Sequence, residues 1–308
     1  MRILVTGSSG FVGRYLVEEL RANGHDPVAF EAVPAVPPLD IPEHIGDVTD
    51  PDTVRACLEK EQPEAVIHLA GIAFVPMGWT DPQKVMRVNV NGTLALLETV
   101  RAIRPDMRLL VVTSSEVYGR DQREEPVREE DALSPSNLYG VSKMAADLAT
   151  LLYHKQYDMH TMTARPQNHI GPRQSRLFVV SAFAEQLIAL KKGSGRSVLR
   201  VGNLESARDF TDVRDVARAY RLLIEKGRAG EAYNIASGRI VPIRDMLDQL
   251  CAHAGLSPEI EVDAELHRPT DRPLMLSIDK ITQDAGWHPT ISLAQTLKDI
   301  YDDLASHA

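Results

Sequence analysis

The sequence predicts an α/β fold: a Rossmann-type, doubly wound parallel sheet with a smaller, discontinuous C-terminal substrate-binding domain. Three observations carry this expectation. A glycine-spaced turn, Gly7-Ser8-Ser9-Gly10-Phe11-Val12-Gly13, lies between a β-rich run and a helical stretch at the start of the chain. Short apolar runs then alternate with helical periodicity through the first half, the pattern of parallel strands joined by crossover helices. Beyond residue 165 this alternation loosens into Gly-, Pro- and Arg-rich segments, a composition suited to site-forming loops on a rigid frame.

The elements follow in order. Residues 2–6 (RILVT) read as a buried strand, and 11–22 as a helix ended by Asn23-Gly24. A second strand spans 27–31, and Pro34, Pro37, Pro38 and Pro42 exclude a regular helix from the loop after it. Further strands are expected at 44–46, 65–69, 108–113 and 160–165, with helices at 51–61, 81–103 and 137–157. From 170 to 212 the chain reads as loops interrupted by one helix at 178–192. No repeat or linker divides the chain, so the second domain is expected to be assembled from pieces. The expected dinucleotide-binding domain is 1–165 with 209–238, and as an option 287–308, returning to it; 166–208 and 239–286 form the substrate-binding domain.

Composition narrows the class of partner. The 308 residues are 44% hydrophobic and carry a formal charge of -9, which argues against nucleic acid or an anionic membrane as the main partner. A small anionic ligand stays open, because a few placed arginines suffice to bind it. No segment reaches the roughly 20 apolar residues of a membrane span, and the N-terminus lacks the charged and apolar regions of a signal peptide. Cys57 and Cys251 are far apart and without metal-ligand spacing, and the ten histidines form no HExxH motif. A cytoplasmic protein without a metal site is therefore expected.

The glycine turn needs small residues so that its backbone can approach a pyrophosphate, and the following helix offers unpaired N–H donors. Gly7, Gly10 and Gly13 are spaced GxxGxxG. Glu31 ends the second strand about 20 residues further on, where an acid accepts from the adenosine ribose hydroxyls of NAD. No Lys or Arg lies between Glu31 and Arg55 to hold a 2′-phosphate. NAD is the expected cofactor, with NADP open; a solvated strand-end carboxylate is the competing reading of Glu31. Tyr139 and Lys143, in YGVSK, stand at i and i+4 on one helical face. A phenol is a poor acid–base group at neutral pH unless its phenolate is stabilised, and an adjacent ammonium does this. Ser114, at a strand end, offers a hydroxyl to orient a substrate oxygen.

These residues carry a resemblance. TGSSGFVG, GDVTD (46–50), HLAG (68–71), NVNGT (89–93), SSEVYG (114–119) and YGVSK run in order along the chain. In this the sequence resembles the extended short-chain dehydrogenase/reductase family. The resemblance implies a Ser114–Tyr139–Lys143 triad, with Tyr139 exchanging a proton with a sugar oxygen and Lys143 also holding the nicotinamide ribose. It implies that Asp47 and Val48 flank the adenine, and that Leu69, Ala70, Gly71, Asn89, Thr113, Pro166 and His169 complete a cofactor groove with Phe11 and Val12. The resemblance also implies a homodimer, formed through helices 81–103 and 137–157.

The second half resembles GDP-6-deoxy-4-keto-D-mannose reductases through NHIGP (168–172), VGNLE (201–205) and RDFTD (208–212). On this resemblance Arg208 contacts the nucleotide diphosphate, as a guanidinium can in bidentate fashion; an ion pair with Asp209 or Asp212 is the alternative. Arg268 and Asp271, in RPTD, would hold the nucleoside end. Asn168 would orient the sugar, or only bond its own turn. Val75, Ser115, Phe178, Val179 and Asn203 complete the implied substrate set. Gln167 replaces a customary aromatic residue, and Arg173 replaces a glycine, which would bring an extra cation near the substrate path. Glu116 matches the base of related dehydratases, yet similar reductases also carry it, so a structural role stays open. The expected reaction is reduction of a 4-keto group on a GDP-6-deoxyhexose. A redox-neutral 4,6-dehydratase or 4-epimerase with tightly held NAD is the alternative, and a non-catalytic NAD-responsive binding protein the rival from another class.

Overall fold

The structure, a computed structural model, describes residues 1–120, 125–193, 198–263 and 273–307. Seven parallel strands form the central sheet: β1 (Arg2–Thr6), β2 (Asp26–Glu31), β3 (Glu43–Ile45), β4 (Ala65–His68), β5 (Arg108–Val112), β6 (Thr161–Pro166) and β10 (Ala232–Ile235). Their order is β10-β6-β5-β4-β1-β2-β3, so the winding reverses between β1 and β4. A sheet of this kind opens a crevice at the C-terminal ends of its strands at that reversal. Thr6 lies opposite His68 there, directly before the glycine turn.

Both faces of the sheet are covered, which explains the continuous apolar runs of its strands. On one face Ile3, Val5 and Ile67 pack with residues of α1 (Phe11–Ala22) and α8 (Val213–Lys226). On the other, Leu4, Val66 and Leu109 meet α2 (Pro51–Glu61) and α5 (Gly92–Ile103). The longest helix, α6 (Leu138–Tyr157), begins at Asn137, whose side chain accepts from the Gly140 N–H.

Three features depart from the sequence expectation. The helix expected at 81–103 is divided: α3 (Met77–Thr80) and α4 (Pro82–Met86) precede a π-helical turn, Arg87–Asn91, that leads into α5. Pro82 starts α4, and Asp81 caps it by accepting from Lys84 N–H. The stretch read as loops carries short strands, β7 (Asn168–Ile170), β8 (Val198–Val201) and β9 (Ala207–Asp212), beside α7 (Val179–Lys191). β9 pairs with β7 and with β11 (Ile240–Pro242), while β8 pairs with β12 (Glu259–Val262). They escape pattern reading because they are short and, in β9, charged residues are turned inward.

The C-terminal packing is the third departure. A separate core joins α7 and β8 to α9 (Ile243–Ala254) and α11 (Leu293–Ser306), through Phe183, Leu187, Leu247, Leu297 and Ile300. Helix α10 (Asp279–Ala285) and Trp287 instead belong to the core beneath α1 and α8. Residues 279–285 thus pack with the central sheet instead of the smaller domain expected for them, Trp287 packs there as the optional return of 287–308 allowed, and 293–304 join the smaller core instead. Trp287 is fully buried, and its indole N–H donates to the Asp215 carbonyl. Among the described residues, no helix is long and apolar enough to cross a membrane.

Candidate functional site

The glycine turn is shaped by close backbone approach. Gly7 adopts φ +74°, and a Cβ there would lie 2.9 Å from the Ala70 nitrogen, which brings the HLAG turn against it. A Cβ on Gly13 would lie 2.3 Å from the Gly7 carbonyl oxygen, so only glycine fits. Helix α1 has no side-chain cap and no acid in its first turn, leaving its N–H donors available to an anion. Phe11, in that first turn, lies parallel to the His169 ring at 6.1 Å, and Val12 packs onto the first core. A dinucleotide fits this arrangement: small residues, open helix donors and a flanking groove.

Glu31 is buried, and its carboxylate accepts from Ser8 Oγ at 2.6 Å, Ser9 N–H at 2.7 Å and Ser9 Oγ at 2.6 Å. It is no solvated strand end; it braces the glycine turn. Asp47 accepts from the Thr49 N–H and hydroxyl, which with Arg87 hold its carboxyl below the usual range. Val48 is buried under Gly92.

Ser114, Tyr139 and Lys143 come together at the C-terminal end of β5. Burial pushes the Tyr139 phenol up to about 12, against a smaller opposing pull from the Ser114 hydroxyl. Lys143 is buried on the same helical face, donates to the Val112 carbonyl at 2.9 Å, and has its ammonium pulled down to about 8 by desolvation. A Cβ on Gly71 would lie 3.4 Å from Lys143 Nζ and 3.0 Å from Asn89 Oδ1, so this glycine keeps space for both. Asn89 accepts from Ile72 N–H and donates to the Ile72 carbonyl and to Ser142 Oγ. It thereby ties the 71–72 turn to α6 from the π-helical turn, an insertion often found at functional positions. His68, between Thr6 and Thr93, is pulled down to about 3 by burial and the Lys143 charge, and stays neutral.

A buried network unseen in the sequence supports this trio. Arg165 donates to both Asp147 oxygens, at 3.1 and 2.6 Å, and also to Tyr118 Oη and the Glu129 carbonyl. Asp147 lies one helical turn beyond Lys143 and accepts from Thr113 Oγ1, the residue before Ser114. Tyr118 donates to Asn234 Oδ1 on β10. One ion pair therefore braces both the strand carrying Ser114 and the helix carrying Tyr139 and Lys143. Removing one partner of such a pair costs about 3–5 kcal/mol, because it strands the other charge. Sequence spacing does not show it, since the partners come from five separate segments: 113–118, 129, 147, 165 and 234.

The expected substrate residues are placed unevenly. Glu116 accepts from Asn137 Nδ2 at 2.7 Å, which joins it to the residue that caps α6. Ser115 Oγ donates to Gln167 Oε1 at 3.1 Å. Asn168 donates to the Asp209 carbonyl, so its amide bridges two strands rather than only its own turn. Asn203 accepts from Glu205 N–H within its own turn. Phe178 and Val179 are exposed at the start of α7, and Val75 is half-buried before α3. Neither acid beside Arg208 pairs with it: Asp209 accepts from Ser237 and Arg239 N–H, and Asp212 holds Arg214 and caps α8. The Arg208 guanidinium reaches only the Ala207 carbonyl among the bonds of the described residues. Arg268 and Asp271 lie outside the described residues.

Arg173 corrects one expectation. It takes φ +66°, the left-handed conformation that suits a glycine. Its guanidinium pairs with Glu18 at 2.8 Å and lies over the Tyr15 ring at 3.9 Å. The cation is engaged with α1 and is not free toward a substrate.

Comparison with known proteins agrees with this geometry. A profile of the GDP-mannose 4,6 dehydratase family matches residues 4–300. A GDP-6-deoxy-D-mannose reductase of Pseudomonas aeruginosa is 37% identical over 307 residues, covering 99% of this chain and 97% of that protein. A dTDP-glucose 4,6-dehydratase of Xanthomonas campestris is 29% identical, covering 97% of this chain and 92% of that protein. The structure of RMD from Pseudomonas aeruginosa complexed with NADPH superposes with a TM-score of 0.90 at 36% identity, covering 100% of this chain and 99% of that one. The chain belongs to the GDP-mannose 4,6 dehydratase family.

Proposed function

We propose that the protein reduces the 4-keto group of a GDP-linked 4-keto-6-deoxyhexose. The observation that carries this reading is the meeting of Ser114, Tyr139 and Lys143 at the sheet's C-terminal edge, in a chain similar over its whole length to a GDP-6-deoxy-D-mannose reductase. When bound, NAD(P)H supplies the hydride. The protein's part is to orient the substrate oxygen and to move one proton. Ser114 positions that oxygen beside the Tyr139 phenol, and the Tyr139 proton passes to it as the carbonyl becomes an alkoxide. Lys143 stabilises the phenolate left behind. A phenol held at about 12 keeps its proton at neutral pH and gives it up only where the phenolate is stabilised, the part assigned here to the Lys143 ammonium.

Glu116 accepts from the Asn137 cap of α6, which supports a positioning role beside the base role it would have in the redox-neutral reading. Glu31 favours NADH over NADPH, since a carboxylate at the adenosine ribose repels a 2′-phosphate, and the one acceptor site left on Oε2 can take a ribose hydroxyl. The apolar faces of α5 and α6 support a homodimer: Leu94, Leu148, Leu152 and Tyr157 are exposed there. A cytoplasmic setting suits the free thiols of Cys57 and Cys251.

The test is a 340 nm absorbance assay with GDP-4-keto-6-deoxymannose and either reduced cofactor. One NAD(P)H consumed per GDP-6-deoxyhexose formed is the expected result. Turnover of the sugar without net cofactor oxidation would move the reading to a dehydratase or epimerase.

A further inference from the structure

Gln167 stands at the end of β6, buried, with its N–H on the Ile235 carbonyl. Its side-chain nitrogen donates to the Leu274 carbonyl at 2.9 Å. A carbonyl can only accept, so the amide orientation is fixed: Nε2 faces Leu274 and Oε1 faces Ser115. The Ser115 hydroxyl, 3.1 Å from Oε1, must therefore spend its proton on Gln167. What remains on Ser115 Oγ is a pair of acceptor lone pairs, one residue from Ser114 and from Glu116. The Leu274 carbonyl is itself anchored, because the neighbouring Met275 carbonyl and Ser277 N–H bond Val127.

We infer that Gln167 is a specificity-determining positioning residue, which makes Ser115 an acceptor-only oxygen that recognises a hexose hydroxyl beside the carbon being reduced. The inference rests on the reductase reading above. A phenylalanine side chain at 167 could neither accept from Ser115 nor bond Leu274, and would leave the Ser115 proton free to turn toward the substrate. With Gln167 in place, a sugar hydroxyl donates to Ser115 and is bound; a keto or deoxy carbon at that position has no proton to give. Asn168 also approaches Oε1, at 3.4 Å, and reinforces the same polarity.

The experiment is a double-mutant cycle with Ser115→Ala and Gln167→Met, read as kcat/KM for GDP-4-keto-6-deoxymannose and as the Kd of the reduced dinucleotide. A neutral hydrogen bond contributes about 1 kcal/mol, so each single variant should lower kcat/KM roughly five- to tenfold, chiefly through KM. The double variant should fall no further than the singles, because both remove one interaction. Dinucleotide Kd should stay within about twofold of wild type, as is usual for a site left uncoupled. Additive losses, or losses confined to kcat, would overturn the inference. A near-isosteric variant guards against a merely structural collapse. Gln167→Glu, when protonated, can still donate to Leu274 and accept from Ser115, so its KM relative to wild type should worsen as pH rises and recover as pH falls. A ratio flat with pH also contradicts the inference. If the wild-type protein oxidises no cofactor with this substrate, the reductase reading itself fails, and the inference with it.

Discussion

Lys143 is held at a cost to the fold that can be measured. Among the described residues it donates to the Val112 carbonyl, and burial lowers its ammonium from an ordinary 10.5 to about 8. The folded state therefore binds fewer protons than the unfolded chain between these values, and stability rises with pH across that window. Below about pH 8 the buried charge opposes folding by at most about 3 kcal/mol, and above about 10.5 that penalty disappears. Wild type compared with Lys143→Met should accordingly gain in urea midpoint between pH 8 and 10.5, and a constant difference would contradict the burial argument. This residue, with Tyr139 and Ser114, was legible because its chemistry lies in local spacing: an i, i+4 pair and a hydroxyl at a strand end. Asp147, Arg165 and Gln167 were not, since their roles arise only where distant segments meet. Arg173 was misjudged for the same reason, as its partners Glu18 and Tyr15 lie on α1.

The long elements of the first half were readable because apolar periodicity and turn residues agree in them. Strand β1 and helices α1 and α2 have the bounds that the sequence predicts. Periodicity could not reveal the π-helical turn, which adds one residue per turn without changing composition and serves to place Asn89. Nor could it reveal β9, where the buried acids are satisfied by backbone N–H groups. The exposed side of α6 is the element-scale feature still without a partner. Leu148 and Leu152 are one turn apart and half exposed, while Tyr153 bonds Glu98 across the α5–α6 seam and Arg101 holds Glu98 from within α5. If two such surfaces pair, Leu148→Glu with Leu152→Glu should place charge in an apolar interface and shift the sedimenting species from dimer to monomer. Unchanged mass for both proteins would remove α6 from the interface.

At the scale of the molecule, the same sheet edge gathers the glycine turn, the Tyr139 phenol and the polar side chains of Ser115 and Gln167 from segments far apart in sequence. Gly7 and Ala70 meet at the reversal between β1 and β4, while Tyr139 and Lys143 rise beside β5. The smaller core is built from α7, α9 and α11, and α10 is returned to the sheet by Trp287. That exchange is not legible in the sequence, because both helices are amphipathic and only packing decides their side. Net reduction is the central claim, and transfer of label tests it most directly. The protein is incubated with GDP-4-keto-6-deoxymannose and cofactor deuterated at the transferred position, and the product hexose is analysed by mass and NMR. The account predicts one deuterium at C4 of each product molecule, and no label transfer by Tyr139→Phe. A product formed without deuterium at C4 would contradict it.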